Sequence, residues 1–173
     1  VFANHYAQPQ FSSTHIQEIS PNIDGQNFGY SVSVDGDYMI VGAPEDDDVC
    51  TNAGAAYIYH RNATTNQWTE VVKLKPDLPQ DDNLRSTPLP CYGEAFGYSV
   101  FISGNLAIVG APHDEALDIT GPKKNAGSAY IFSRNDAGGW GKVKKLQLAY
   151  SVAGENDNFG YSVAIDGNAI DGK

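Results

Sequence analysis

The sequence predicts an all-β chain built from repeated four-stranded sheets, and three observations carry that expectation. The phrase FGYSV stands at Phe28–Val32, Phe96–Val100 and Phe159–Val163, spaced by 68 and 63 residues. Between copies, other landmarks return in a fixed order. IVGAP occurs at Ile40–Pro44 and Ile108–Pro112, AGAAYIY at Ala53–Tyr59 is answered by AGSAYIF at Ala126–Phe132, and WTEVVKL at Trp68–Leu74 by WGKVKKL at Trp140–Leu146. Finally, 18 Gly, 10 Tyr and a charged fraction of only 18% suit short strands joined by tight turns.

Each landmark reads as a strand. In YSVSV, Tyr30, Val32 and Val34 alternate with Ser31 and Ser33, the period of two of a half-buried strand. Asp35–Asp37 (DGD) is a tight-turn signal, because Gly36 readily takes positive φ. YMIVGA returns as the second strand, AAYIY is the third and WTEVVKL the fourth. Asn62–Asn66 turns the chain between the last two, as Asn135–Gly139 does in the second copy. One repeat is thus a four-stranded antiparallel meander. A sheet that small cannot bury both faces alone, and radial stacking into a β-propeller, with roughly 4–8 blades, is the solution such sheets adopt.

The expected organisation follows. Residues 1–27 hold the last strand of a preceding blade and an interblade loop, with Ile16 and Ile19 in the places of Val143 and Leu146. Residues 28–95 and 96–158 are each one blade with its loop, and 159–173 start a third. There NAIDGK stands where IVGAP falls due. About two and a half blades do not close a ring, so the expectation is part of a larger propeller, or a chain completed by partner chains. Within FGYSV, the phenylalanine is expected to plug the joint between blades and the glycine to admit a close backbone. Tyr and Val would face one neighbouring sheet, while Ser31, Ser99 and Ser162 leave room on the other.

Phe-Gly followed about 14 residues later by Gly-Ala-Pro resembles the FG-GAP repeat. That repeat builds the seven-bladed propeller of integrin α-chains and of many microbial and algal surface proteins. The resemblance runs from about Phe28 to Asp166 and is nearest to the microbial and algal type. Integrin hairpins carry a DxDxDG calcium loop, because Ca²⁺ takes six to eight oxygens. Here the corresponding hairpins, Val34–Tyr38, Ile102–Leu106 and Ile165–Ala169, are short, and Ser103 stands in place of an acid. They are predicted to be plain turns.

The acids gather elsewhere. Glu45, Asp46, Asp47 and Asp48 follow the first GAP motif, and His113, Asp114 and Glu115 follow the second. Strand order puts these loops on one rim with the interblade loops. The resemblance implies that this rim is a ligand-binding face. Asp46, Asp47 and Asp48 are also candidate Ca²⁺ ligands, against the plainer reading that acids keep loops solvated. Cys50 and Cys91 fall on the same rim of one blade; they are either a disulfide, closing about 40 residues and contributing roughly 3–4 kcal/mol, or two thiols. A bridge implies an oxidising compartment. Asn62-Ala63-Thr64 is an N-glycosylation sequon on an outer hairpin.

A formal charge of −10 argues against nucleic acid, which needs clustered Lys and Arg. No apolar run reaches the length of a membrane span. His5, His15, His60 and His113 share no motif, and no nucleophile elbow, zinc-protease or phosphate-loop pattern is present. Trp68 and Trp140 recur with the repeat, as packing residues do. The expected protein is not an enzyme and needs no cofactor. It is an extracellular or cell-surface module that binds proteins or glycans, or further blades or subunits that complete its ring. Two alternatives stand beside it: a calcium-dependent, integrin-like adhesion protein, and part of a propeller enzyme whose site lies in other blades.

Overall fold

Two four-stranded antiparallel meanders stack face to face, one per repeat. The computed structural model describes residues 17–20, 25–77, 93–118 and 121–167. The first sheet runs in sequence order: β1 (Ser31–Asp35), β2 (Tyr38–Ala43), β3 (Ala55–Arg61) and β4 (Trp68–Leu74). The second comprises β5 (Ser99–Ser103), β6 (Leu106–Ala111), β9 (Ser128–Arg134) and β10 (Trp140–Gln147) in the same spatial order. The registers repeat as well: Val32 pairs with Val41 as Val100 pairs with Val109. The fold is all-β, and its sheets are blades of a β-propeller.

Period-two alternation gives each blade two apolar faces. Ile40, Ala56, Ile58 and Leu74 on one side of the first blade meet Val100, Ile102, Val109, Tyr130 and Phe132 of the second, with Phe96 buried among them. The opposite side of the first blade carries Val41, Tyr57 and Tyr59, on which Ile19, Phe28, Met39 and Trp68 pack. Burying a single large aliphatic side chain is worth about 1.5–3 kcal/mol, so the core between the blades holds them together.

Three features go beyond, or against, the sequence expectation. A two-stranded hairpin, β7 (Ala116–Asp118) with β8 (Gly121–Lys123), is inserted between β6 and β9 and has no counterpart among the described residues of the first blade. Lys123 fastens it to the interblade loop, donating to the carbonyls of Tyr150 and Ala153 at 2.8 and 2.6 Å. Second, the outer strand is bulged at the same place in both blades: the register skips Val71 in β4 and Val143 in β10. The extra residue shifts the pleat and brings Lys73 opposite Tyr57 and Lys145 opposite Tyr130. Third, the start of the third copy, residues 159–167, forms no strand among the described residues. It still docks against β5.

Most of the expected closing strand at the N-terminus lies outside the described residues. The part that is described, residues 17–20, is in no strand. Gln17 nevertheless grips the backbone of Trp68 twice, donating to its carbonyl at 2.8 Å and accepting from its amide at 2.7 Å.

Candidate functional site

The repeat phrase forms the joint between blades. Each FG enters the preceding blade beside its GAP glycine. The Phe96 amide donates to Ala53 O at 2.9 Å, and the Phe159 amide to Ala126 O at 3.0 Å. The next carbonyl then passes so near the GAP glycine that no side chain fits there. A Cβ on Gly42 would lie 2.0 Å from Gly97 O, and one on Gly110 would lie 1.9 Å from Gly160 O. Gly97 and Gly160 themselves have φ of +93° and +87°, a conformation that favours glycine.

The serines do more than leave room. Ser31 Oγ donates to Gly97 O at 2.8 Å, and Ser99 Oγ donates to Gly160 O at 2.8 Å. Further along, the Ile102 amide donates to Ser33 Oγ at 3.2 Å, the Gly104 amide to the Asp35 carboxylate at 2.6 Å, and the Gly167 amide to Ser103 Oγ at 3.1 Å. Phe28 sits edge-on against Tyr57 and Tyr59, and Phe96 against Tyr130 and Phe132. At the other end of the joint Tyr38 meets Trp140 of the second blade, 6.1 Å between centroids, and the Arg134 guanidinium lies 4.1 Å over the Tyr38 ring. Tyr30, Tyr98 and Tyr161, one from each copy, form a ladder with centroids 4.9 and 4.8 Å apart.

The rim expected from strand order is present. The loop between β2 and β3 meets the next interblade segment, the Ala95 amide donating to Asn52 O at 3.2 Å. Its acids, however, divide into two kinds. Asp46 is only 1% exposed and is held from within: Tyr57 donates to it at 2.7 Å and Lys73 lies 2.8 Å from it. Asp114 repeats the arrangement, taking Ser128 Oγ at 2.5 Å and Lys145 at 2.6 Å. Burial, followed by the bond to Asp46, pushes the Tyr57 phenol up to about 12. Burial disfavours the charge on Lys73, but bonds to Asp46, Asp48 and Tyr57 outweigh it and raise its pKa.

The remaining acids are not equivalent. Glu45, Asp47, Asp48 and His113 are exposed, while Glu115 is half-buried. Asp48 is bonded by Lys75 and Lys73, which hold its carboxyl down at about 2. Asp47 accepts from the Asn52 amide at 2.7 Å. Asp46 and Asp48 thus share Lys73 while Asp47 turns to the Asn52 amide, and among the described residues no group of His, Cys, Asp and Glu is placed to hold a metal ion.

Sequence reasoning missed one member of this network. Gln26 and Glu94 each stand two residues before an FG phenylalanine, and both are buried. Gln26 lies 3.5 Å from the Tyr57 hydroxyl. The signal was available as a polar residue at a fixed offset from FG, but its two identities hid the repetition. Of the other nominated positions, Asn62 is exposed in the hairpin between β3 and β4, its side-chain oxygen accepting from the amides of Thr64 and Thr65. Cys50 lies between β2 and β3, while Cys91, His5 and His15 fall outside the described residues. His60 is exposed on β3, its ring against Tyr38.

Among the described residues no helix is long and apolar enough to cross a membrane. A comparison with curated proteins found no match. The model of the FG-GAP repeat matches residues 23–59 and 92–132, the stretches that carry the first three strands of each blade. Matched motifs and repeated joints agree, and the chain carries two FG-GAP repeats.

Proposed function

We propose that this chain is an extracellular, non-catalytic part of a propeller that recognises protein or glycan partners, or like subunits, through its acidic rim. One observation carries the reading. The recurring polar side chains are occupied inside the fold: Ser31 and Ser99 join each blade to the next repeat, while Asp46 with Lys73 and Asp114 with Lys145 tie a rim loop to the outer strand of its own blade. The residues left to solvent are the non-repeating ones of the rim, among them Glu45, Asp47 and His113. A structural scaffold with a variable surface is what a recognition module requires. An extracellular location is supported by the exposed sequon at Asn62 and by the absence of a free cysteine among the described residues, as a Cys50–Cys91 bridge would require.

Calcium dependence is the less favoured reading, because a cation at Asp48 must displace two lysines. The test is attachment of the native protein to immobilised matrix and cell-surface glycans and proteins. Neutralising Glu45 and Asp47 together with His113→Ala should abolish attachment at unchanged melting temperature. Unchanged attachment would refute the rim assignment, and loss of wild-type attachment in chelator would favour the calcium reading.

A further inference from the structure

The two polar networks of successive blades differ in the hydroxyl that meets the rim aspartate, Tyr57 in the first and Ser128 in the second, and in the residue two before the FG phenylalanine, and the second difference has a consequence for the joint. In the first blade the position two residues before the FG phenylalanine is Gln26, a neutral amide beside the Tyr57 hydroxyl. In the second it is Glu94, 5% exposed and enclosed between the blades. Its Oε2 and the Tyr130 hydroxyl are both buried without a hydrogen-bond partner. A carboxylate there would be an unpaired buried charge, which folded proteins avoid by taking up a proton.

The groups around it reinforce this. From the loop after β6 come Asp114 and Glu115, and from the segment after β4 comes Asp77, all of negative sign; β9 supplies the Tyr130 phenol. Among the described residues Lys145 of β10 is the cation that offsets them, and Lys145 is bonded to Asp114. Glu94 also holds the rim directly, since its carbonyl accepts from the His113 amide at 3.2 Å.

We propose that Glu94 is a proton-controlled latch, neutral in the closed joint as Gln26 is, whose ionisation loosens the second blade's rim loop from the first blade. Burial, followed by the charge on Asp114, pushes its carboxyl from 4.5 up to about 8. A folded value above the unfolded one fixes the sign. The stabilisation is complete below 4.5, is lost as pH rises towards about 8, and changes no further above that. The latch holds whether or not the rim is the recognition face, because its readout is stability rather than binding.

The experiment is urea unfolding of the protein and of Glu94→Gln across pH 5 to about 9, with infrared spectra at neutral pH. In the wild type the Glu94 contribution should lower the folding equilibrium constant by up to about tenfold per pH unit below about 8. Glu94→Gln should lack that slope, be the more stable protein at pH 8, and lose a protonated-carboxyl infrared band. An identical pH slope in both proteins, the absence of such a band, or a Glu94→Gln protein less stable than wild type at neutral pH would each overturn the proposal.

Discussion

Ser31 and Ser99 show how one hydroxyl can register a blade on its neighbour. Each donates to the carbonyl of the next FG glycine, a group that the close approach has already removed from water. Ser99→Ala leaves that carbonyl unpaired and should cost about 1–2 kcal/mol in urea unfolding. The Asp46–Lys73 pair is a harsher case. Asp46→Ala takes the acceptor from the buried Tyr57 hydroxyl and leaves the mostly buried Lys73 with Asp48 alone, and should cost about 2 kcal/mol. At this scale the sequence was only partly legible. A serine in a strand looks like a small polar residue, and nothing local reveals that its acceptor lies 66 residues away. Asp46 reads as one more acid in a solvated run, because its inward turn depends on Tyr57 and Lys73 from two other strands.

The elements of each blade were far easier to read. Second and fourth strands begin and end where the landmarks YMIVGA and WTEVVKL do, since alternation and turn residues are local signals. The hairpin of β7 and β8 escaped because its strands have three residues each, too short to display a period, and the second opens with Gly and Pro. The bulge escaped because Val71 and Val143 look like ordinary strand residues. Both are exposed, and their effect is to aim the following lysines. The tightest element contact is the GAP glycine against the FG carbonyl. Gly110→Ala puts a methyl 1.9 Å from Gly160 O. Because backbone must move to admit it, the substitution should cost about 3 kcal/mol and lower the melting temperature. It should also release the segment from Phe159 onward, seen as faster exchange of the Phe159 amide. An unchanged melting temperature would mean that the segment is not held there.

For the molecule as a whole, the contrast between equivalent residues is the most informative. Val100 and Ile102 are 8% and 2% exposed under the first blade, whereas Val32 and Val34, at the same places one repeat earlier, are 53% and 55% exposed. The same strand is core in one blade and surface in the other, so burial comes from the neighbouring blade and not from the sheet itself. Repetition of four landmarks made this stacking legible in advance, because a lone four-stranded sheet has no other way to cover both faces. The phenylalanine and glycine of the joint were legible from their repetition, but its hydrogen bonds were not, since they run between residues far apart in sequence.

Amide hydrogen exchange at Phe96 tests that joint most directly. Phe96 lies ahead of β5, outside the named strands, where exchange is ordinarily fast. If its amide is bonded to Ala53 O within the core between two blades, it should exchange as slowly as the central amides of β2 and β6. Exchange at the rate of an exposed loop would contradict the account.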